Sequence, residues 1–163
     1  MLAAVTLYGL ALTKYASRQF KNNKDVVLAA VRENANVLRY ARAKLKKDKE
    51  IVMAAVKKNG NALKHTHAEP KNDKEIVMAA VKQDGEASQY ASVELKNNKE
   101  VVLAAVKHRG WVLQYASVQL KNNKEVVQAA VEQSSQVLQY ASAELKNDKK
   151  VVLMTIKRDS QAL

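Results

Sequence analysis

The stretch KHTHAEP contains His65 and His67, the one pair of residues in this chain whose type and spacing suggest metal chemistry. Imidazole nitrogens are common zinc ligands, but side chains two apart on a helix point to nearly opposite sides, so the pair could share an ion only in an extended segment. The chain has no cysteine, and its third histidine, His108, is far away in sequence, so nothing nearby completes a ligand set. We therefore expect no metal site. No Ser/His/Asp or paired-carboxylate arrangement is recognisable, and no glycine-rich phosphate loop occurs. The expectation is a chain with no catalytic residues, no cofactor and no evident small-molecule substrate.

A second chemistry, the binding of anions, is suggested by lysines that recur at fixed spacing. KNNKEVVLAAV at 96–106 is preceded by KNDKEIVMAAV at 71–81 and followed by KNNKEVVQAAV at 121–131. Copies begin at Lys21, Lys46, Lys71, Lys96, Lys121 and Lys146. We number the slots of each copy from one, at that lysine, to twenty-five. Slot four is also lysine throughout: Lys24, Lys49, Lys74, Lys99, Lys124 and Lys149. Slot twelve is basic in five copies, so three ladders hold seventeen of the 28 Lys and Arg residues, in a chain of net charge +12 and pI near 9.8. Such a charge suits a polyanion, whether nucleic acid or an acidic membrane surface. Slot five answers with Asp25, Glu50, Glu75, Glu100 and Glu125, which also suits a mixed, solvated rim. Slots one and four bracket a helix start, where a cation opposes the helix dipole by roughly 0.3 to 1 kcal/mol, so local helix stability does not explain them.

The elements that carry these ladders follow from the period. A repeat of this length is close to seven turns of one continuous helix, but the unbroken apolar run of slots six to eleven, Val101–Val106, is not a coiled-coil seam. Each copy is also punctuated twice. Slot three is always Asn or Asp, the types that cap helix starts. Slot fifteen holds Gly60, Gly85 and Gly110, as at a helix end with a left-handed residue, although three copies carry Ala or Ser there. The pattern predicts two short helices per repeat, an apolar one over slots four to fourteen and an amphipathic one over about slots sixteen to twenty-four. Neither persists alone at that length, so repeats must stack. The fold class is all-α, an α-solenoid of two-helix repeats.

Aromatic residues add two readings. Tyr40, Tyr90, Tyr115 and Tyr140, with Tyr15 near the start, form a slot-twenty ladder on the apolar face, either core with hydroxyls at the edge or a stacking platform. Trp111 takes slot sixteen, polar in every other copy, and is expected at the surface as a partner anchor or lying over its neighbours.

One array accounts for the whole sequence: residues 1–20 as a degenerate partial repeat, 21–145 as five full repeats and 146–163 as a partial sixth. MLAAVTLYGLALT has the apolarity of a signal-peptide core but lacks the basic residues that precede one, and it aligns with the repeat. No apolar run reaches the length of about 18 residues that spans a membrane. The charge-free start is expected to bury Met1, Leu2, Val5, Leu7 and Tyr8 against something outside the chain.

The string running from Leu95 to Ser117, LKNNKEVVLAAVKHRGWVLQYAS, resembles the tandem helical repeat known as domain of unknown function 4116. The register holds over six copies, with departures at Pro70, Ser88, Gln128 and Met154–Thr155. The resemblance implies a repeat array without an established activity, and it brings no catalytic residues. Together these features predict a non-catalytic helical-repeat scaffold or linker subunit mediating protein–protein contacts in a larger assembly, with an organelle among the settings it would suit. The alternative is a basic polyanion-binding module. The chain is expected to be soluble or peripheral, and its compartment stays open.

Overall fold

The computed structural model describes residues 18–160. Its frame is six long α-helices: α1 Lys24–Glu33, α2 Lys49–Lys58, α3 Lys74–Gln83, α4 Lys99–His108, α5 Lys124–Val131 and α6 Lys149–Ser160. Each starts where the sequence places a cap. Asp73 Oδ1 accepts from the N–H groups of Glu75 at 2.9 Å and Ile76 at 3.2 Å, and Asn98 Oδ1 accepts from Val101 N–H at 3.2 Å. These bonds satisfy N–H groups that have no partner inside the helix. In the second, third and fourth copies slots six, seven, ten and eleven are buried, as in Ile76, Val77, Ala80 and Val81, while slots eight and nine are half-buried. Each long helix packs on the next, so the all-α repeat stack expected from the sequence is what forms.

The second half of the repeat differs from expectation. It is not one α-helix but a six-residue 3₁₀-helix followed by a short turn. The 3₁₀ segments are Ala35–Tyr40, Gly60–His65, Gly85–Tyr90, Gly110–Tyr115 and Ser135–Tyr140. Extended backbone at slot twenty-one then leads to the turns Ala68–Lys71, Val93–Lys96, Val118–Lys121 and Ala143–Lys146, with a 3₁₀ turn Leu45–Lys47 in the first copy. The cause is a period of three rather than 3.6. Three residues per turn align slots fifteen, eighteen and twenty-one in one row. That row is buried in Gly85, Ser88 and Ala91 and again in Gly110, Leu113 and Ala116. An Asx cap starts the segment: Asn34, Asn59 and Asp84 each accept the N–H two residues on at 3.0 Å.

Slot fifteen also has a different reason from the expected one. No described residue, glycine or otherwise, has a positive φ. The glycines instead permit close approach between layers. A Cβ on Gly85 would lie 2.7 Å from the carbonyl oxygen of Ala105, and one on Gly110 would lie 2.5 Å from that of Ala130. Both obstacles are backbone and cannot swing away.

The short turns carry their own ladder. The backbone N–H at slot twenty-two donates to the carbonyl of slot one, as from Ser92 to Lys71 at 2.9 Å, Ser117 to Lys96 at 3.0 Å and Ser142 to Lys121 at 3.0 Å. The Ser117 hydroxyl donates to Asn97 Oδ1 at 2.6 Å and accepts from Leu120 N–H at 3.2 Å, and the same relay recurs at Ser92 and Ser142. In the second copy His67 replaces this Ser and makes no cap bond. Pro70 there replaces the Leu whose N–H the hydroxyl would accept, so the donor and its acceptor are missing together.

Candidate interaction surfaces

The slot-four lysines reach across to the acids of the following layer. Lys24 Nζ lies 2.9 Å from both Asp48 and Glu50, and Lys49 Nζ lies 3.0 Å from Asp73 and 2.7 Å from Glu75. Lys74 meets Glu100 at 2.5 Å, Lys99 meets Glu125 at 2.5 Å, and Lys124 meets Asp148 at 2.6 Å. The partners follow the local sequence. Where slot three is Asn the lysine keeps only the slot-five Glu, and where slot five is Lys150 it keeps only Asp148. These ion pairs raise the Lys24 and Lys49 pKa values through hydrogen bonds to Glu50 and Glu75 first, then to Asp48 and Asp73. Burial alone would raise the Asp48 and Asp73 carboxyls. Hydrogen bonds from the lysines and from the capped backbone outweigh it and hold both below the usual carboxylate range. Lys149 has the same place on α6, beside Leu153, Met154 and Lys157, with no ion pair to a carboxylate among the described residues.

Slot one behaves differently. Lys21, Lys46, Lys71, Lys96 and Lys121 are half-buried and Lys146 is exposed. None of the six forms an ion pair with a carboxylate among the described residues. From the second copy on, these lysines close the short turn rather than bracket the long helix. Burial and the neighbouring Lys71 lower the Lys96 pKa, as expected for cations crowded along one edge.

His65 and His67 are not brought together. His65 is half-buried in the tyrosine slot, His67 is exposed, and the buried Thr66 between them donates its hydroxyl to the Leu63 carbonyl at 2.8 Å. No group of His, Cys, Asp and Glu suited to a metal ion occurs among the described residues. The environment of His65 is cationic: burial first, then Lys64, Arg39, Lys46 and Lys71, lower its pKa.

Tyr40, Tyr90, Tyr115 and Tyr140 are all half-buried, and the last three pack against the core. Trp111 is half-buried as well, packed edge-on to Tyr115 with ring centroids 5.9 Å apart. It lines a groove with Arg109, Gln136 and Tyr140, so it lies over its neighbours rather than standing free. Met1, Leu2, Val5, Leu7, Tyr8 and Tyr15 lie outside the described residues.

Sequence reasoning missed the polar relay at slots two and twenty-two, whose partners, such as Asn97 and Ser117, belong to successive turns. It also missed a clustering of cations in the first two copies. Slot nineteen is Arg39 and Lys64 there but Gln89, Gln114 and Gln139 later. Slot twenty-two is Arg42 and His67 but Ser later, and slot twenty-four is Lys44 in the first copy alone. A slot-by-slot comparison of the copies would have found it.

No helix among the described residues is long and apolar enough to cross a membrane. No curated protein and no solved structure matches the chain. The family described as a domain of unknown function, DUF4116, matches residues 1–46, 37–71, 48–96, 73–121, 98–144 and 123–163. From residue 48 on the matches begin 25 residues apart, the spacing of the stacked layers; together they cover the sequence, and the chain belongs to the DUF4116 family.

Proposed function

We propose that the chain is a non-catalytic helical-repeat scaffold that holds protein partners in a larger assembly. The observation that carries this reading is the outer face of α6. Leu153 and Ile156 are 55% and 56% exposed, whereas Val106 and Val131, at the slot of Ile156, are buried beneath a following layer. Beside them stands Lys149, in the place from which each earlier slot-four lysine grips an acid of the next layer. An apolar strip with a cation at its edge fits a helix that brings apolar side chains and an acidic first turn. Burying two such side chains is worth roughly 1.5 to 3 kcal/mol each. Photo-crosslinking from position 153 in native cells tests the reading. Crosslinks to a discrete protein partner are expected there and not from Lys82, which is exposed on another face. Their absence from position 153 refutes docking on this face.

A second reading, a polyanion-binding module, has a separate observation behind it. Arg39, Arg42, Lys44 and Lys64, all in the first two copies, stand at slots that are neutral or acidic later in the chain.

A further inference from the structure

From Lys24 to Lys124 the slot-four lysines are engaged with carboxylates, so an external anion would meet other cations. One group of these lies on the edge built from the 3₁₀-helices Ala35–Tyr40 and Gly60–His65 and the turns that follow. Lys64, Arg39, Lys46 and Lys71 all act electrostatically on His65, so its surroundings are cationic. The edge continues into a groove lined by Lys21, Tyr40, Arg42 and Lys44. Backbone bonds join the parts: Arg42 N–H donates to the Lys21 carbonyl at 3.1 Å and His67 N–H to the Lys46 carbonyl at 3.3 Å. Between Arg39 and Lys47 there is no acid, and the one carboxylate paired on this edge is Glu69, 3.8 Å from Lys47.

Aromatic rings run through the cations. Tyr40 and His65 are half-buried in successive layers, and the Arg39 guanidinium lies 4.4 Å from the Tyr40 ring centroid, presenting a planar cation. From this juxtaposition we infer that the edge formed by the first two repeats binds single-stranded nucleic acid, with Lys21, Arg42, Lys44, Lys46 and Lys71 on phosphates and Arg39, Tyr40 and His65 against bases. The inference rests on the polyanion reading and deepens it. A basic track beside planar groups that stack on any base is how single strands are held without sequence preference. An acidic membrane fits less well, because interfacial binding also needs apolar side chains beside the cations. Among the described residues the only large apolar side chain exposed beside these cations is Phe20, next to Lys21; slot twenty-three is Ala43 and Ala68 here, and the exposed Val93 and Val118 belong to later copies, where slot twenty-four is Glu94 or Gln119.

The test measures anisotropy of fluorescein-labelled polyuridine RNA with the full chain across a salt series. The edge variant combines Arg39→Gln, Arg42→Ser, Lys44→Glu and Lys64→Gln, each new residue being one that later copies carry at that slot, so the fold is retained and circular dichroism verifies it. A control variant removes two slot-four cations, Lys74→Gln and Lys99→Gln. With several phosphates no longer neutralised, the edge variant should bind roughly tenfold or more weakly and show a shallower salt dependence, while the control stays within about twofold. On binding, the His65 imidazole resonances should titrate at higher pH, because phosphates offset the surrounding cations. Equal weakening of both variants, or no weakening of the edge variant, overturns the site but leaves the polyanion reading standing. No binding of RNA by the unaltered chain overturns the inference, and binding to vesicles rich in acidic phospholipid instead assigns the edge to membranes. If neither RNA, heparin nor vesicles bind, the polyanion reading fails too.

Discussion

Single positions in this chain are judged by what the adjoining layer allows. Gly85 faces the Ala105 carbonyl, so Gly85→Ala should destabilise by about 1 to 3 kcal/mol, measured by urea unfolding, as expected when a methyl is forced against backbone. Ser88 shows the opposite fault. It replaces the Leu of other copies, its buried hydroxyl has no hydrogen-bond partner, and a small void lined by Leu95, Val101 and Val112 lies beside it. Ser88→Leu should therefore stabilise by about 1 to 2 kcal/mol; a loss of stability would mean that the void is too small for the side chain. Trp111 packs on Tyr115 and the core, so Trp111→Gln should cost about 1 to 2 kcal/mol rather than being neutral.

Pairs of elements are held by capping and by ions, and both can be probed. In the second copy, His67→Ser supplies an acceptor but Pro70 offers it no N–H, so the single change should do little. Combined with Pro70→Leu it should add roughly 1 kcal/mol, and a double-mutant cycle should show positive coupling. The ion ladder makes an acid limit. The Glu100 and Asp148 carboxyls are held down first by hydrogen bonds from Lys74 and Lys124, and those of Asp48 and Asp73 lie low despite burial. A carboxyl depressed in the folded state favours folding fully above its unfolded pKa of about 4, and that contribution disappears as pH falls through the folded value. The melting temperature should be flat near neutrality and drop below about pH 4. Lys74→Gln with Lys124→Gln should blunt the drop, and an unchanged acid profile would show that the ladder does not set it.

At the scale of the described stack, the main contacts of each layer are with its neighbours, so stability should behave as a sum of repeat and interface contributions. Gly85→Ala should therefore raise amide exchange most in α3, α4 and the 3₁₀-helices beside them and least in α1. Uniform loss of protection along the chain would show a single cooperative unit instead. The same geometry gives the molecule two distinct surfaces. Side chains of the short turns project along one edge, and the apolar strip of α6 faces the end of the described stack.

The period, the slot-three caps, the buried slots of the long helix and the family were all legible in the residues, because capping and the burial of an α-helical face depend on neighbours within a few positions. The 3₁₀ segment was legible only in part. Slots seventeen, eighteen, twenty and twenty-one suit an α-helical face, and the row of three-residue steps stands out only once Gly85, Ser88 and Ala91 are seen buried together. The reason for the glycines was not legible at all, since it is a carbonyl of the following layer, Ala105 for Gly85 and Ala130 for Gly110. Nor was the fate of the lysines. Two ladders that repeat the same charge in every copy diverged, slot four toward the acids of the next layer and slot one along the turns. Stacking brings Lys49 to Asp73 and Glu75, and Lys99 to Glu125, on one edge, and among the described residues it pairs no acid with the slot-one lysines. Composition and local pattern determined that the chain would stack; the offset between layers decided which charges meet one another and which stay unpaired among the described residues.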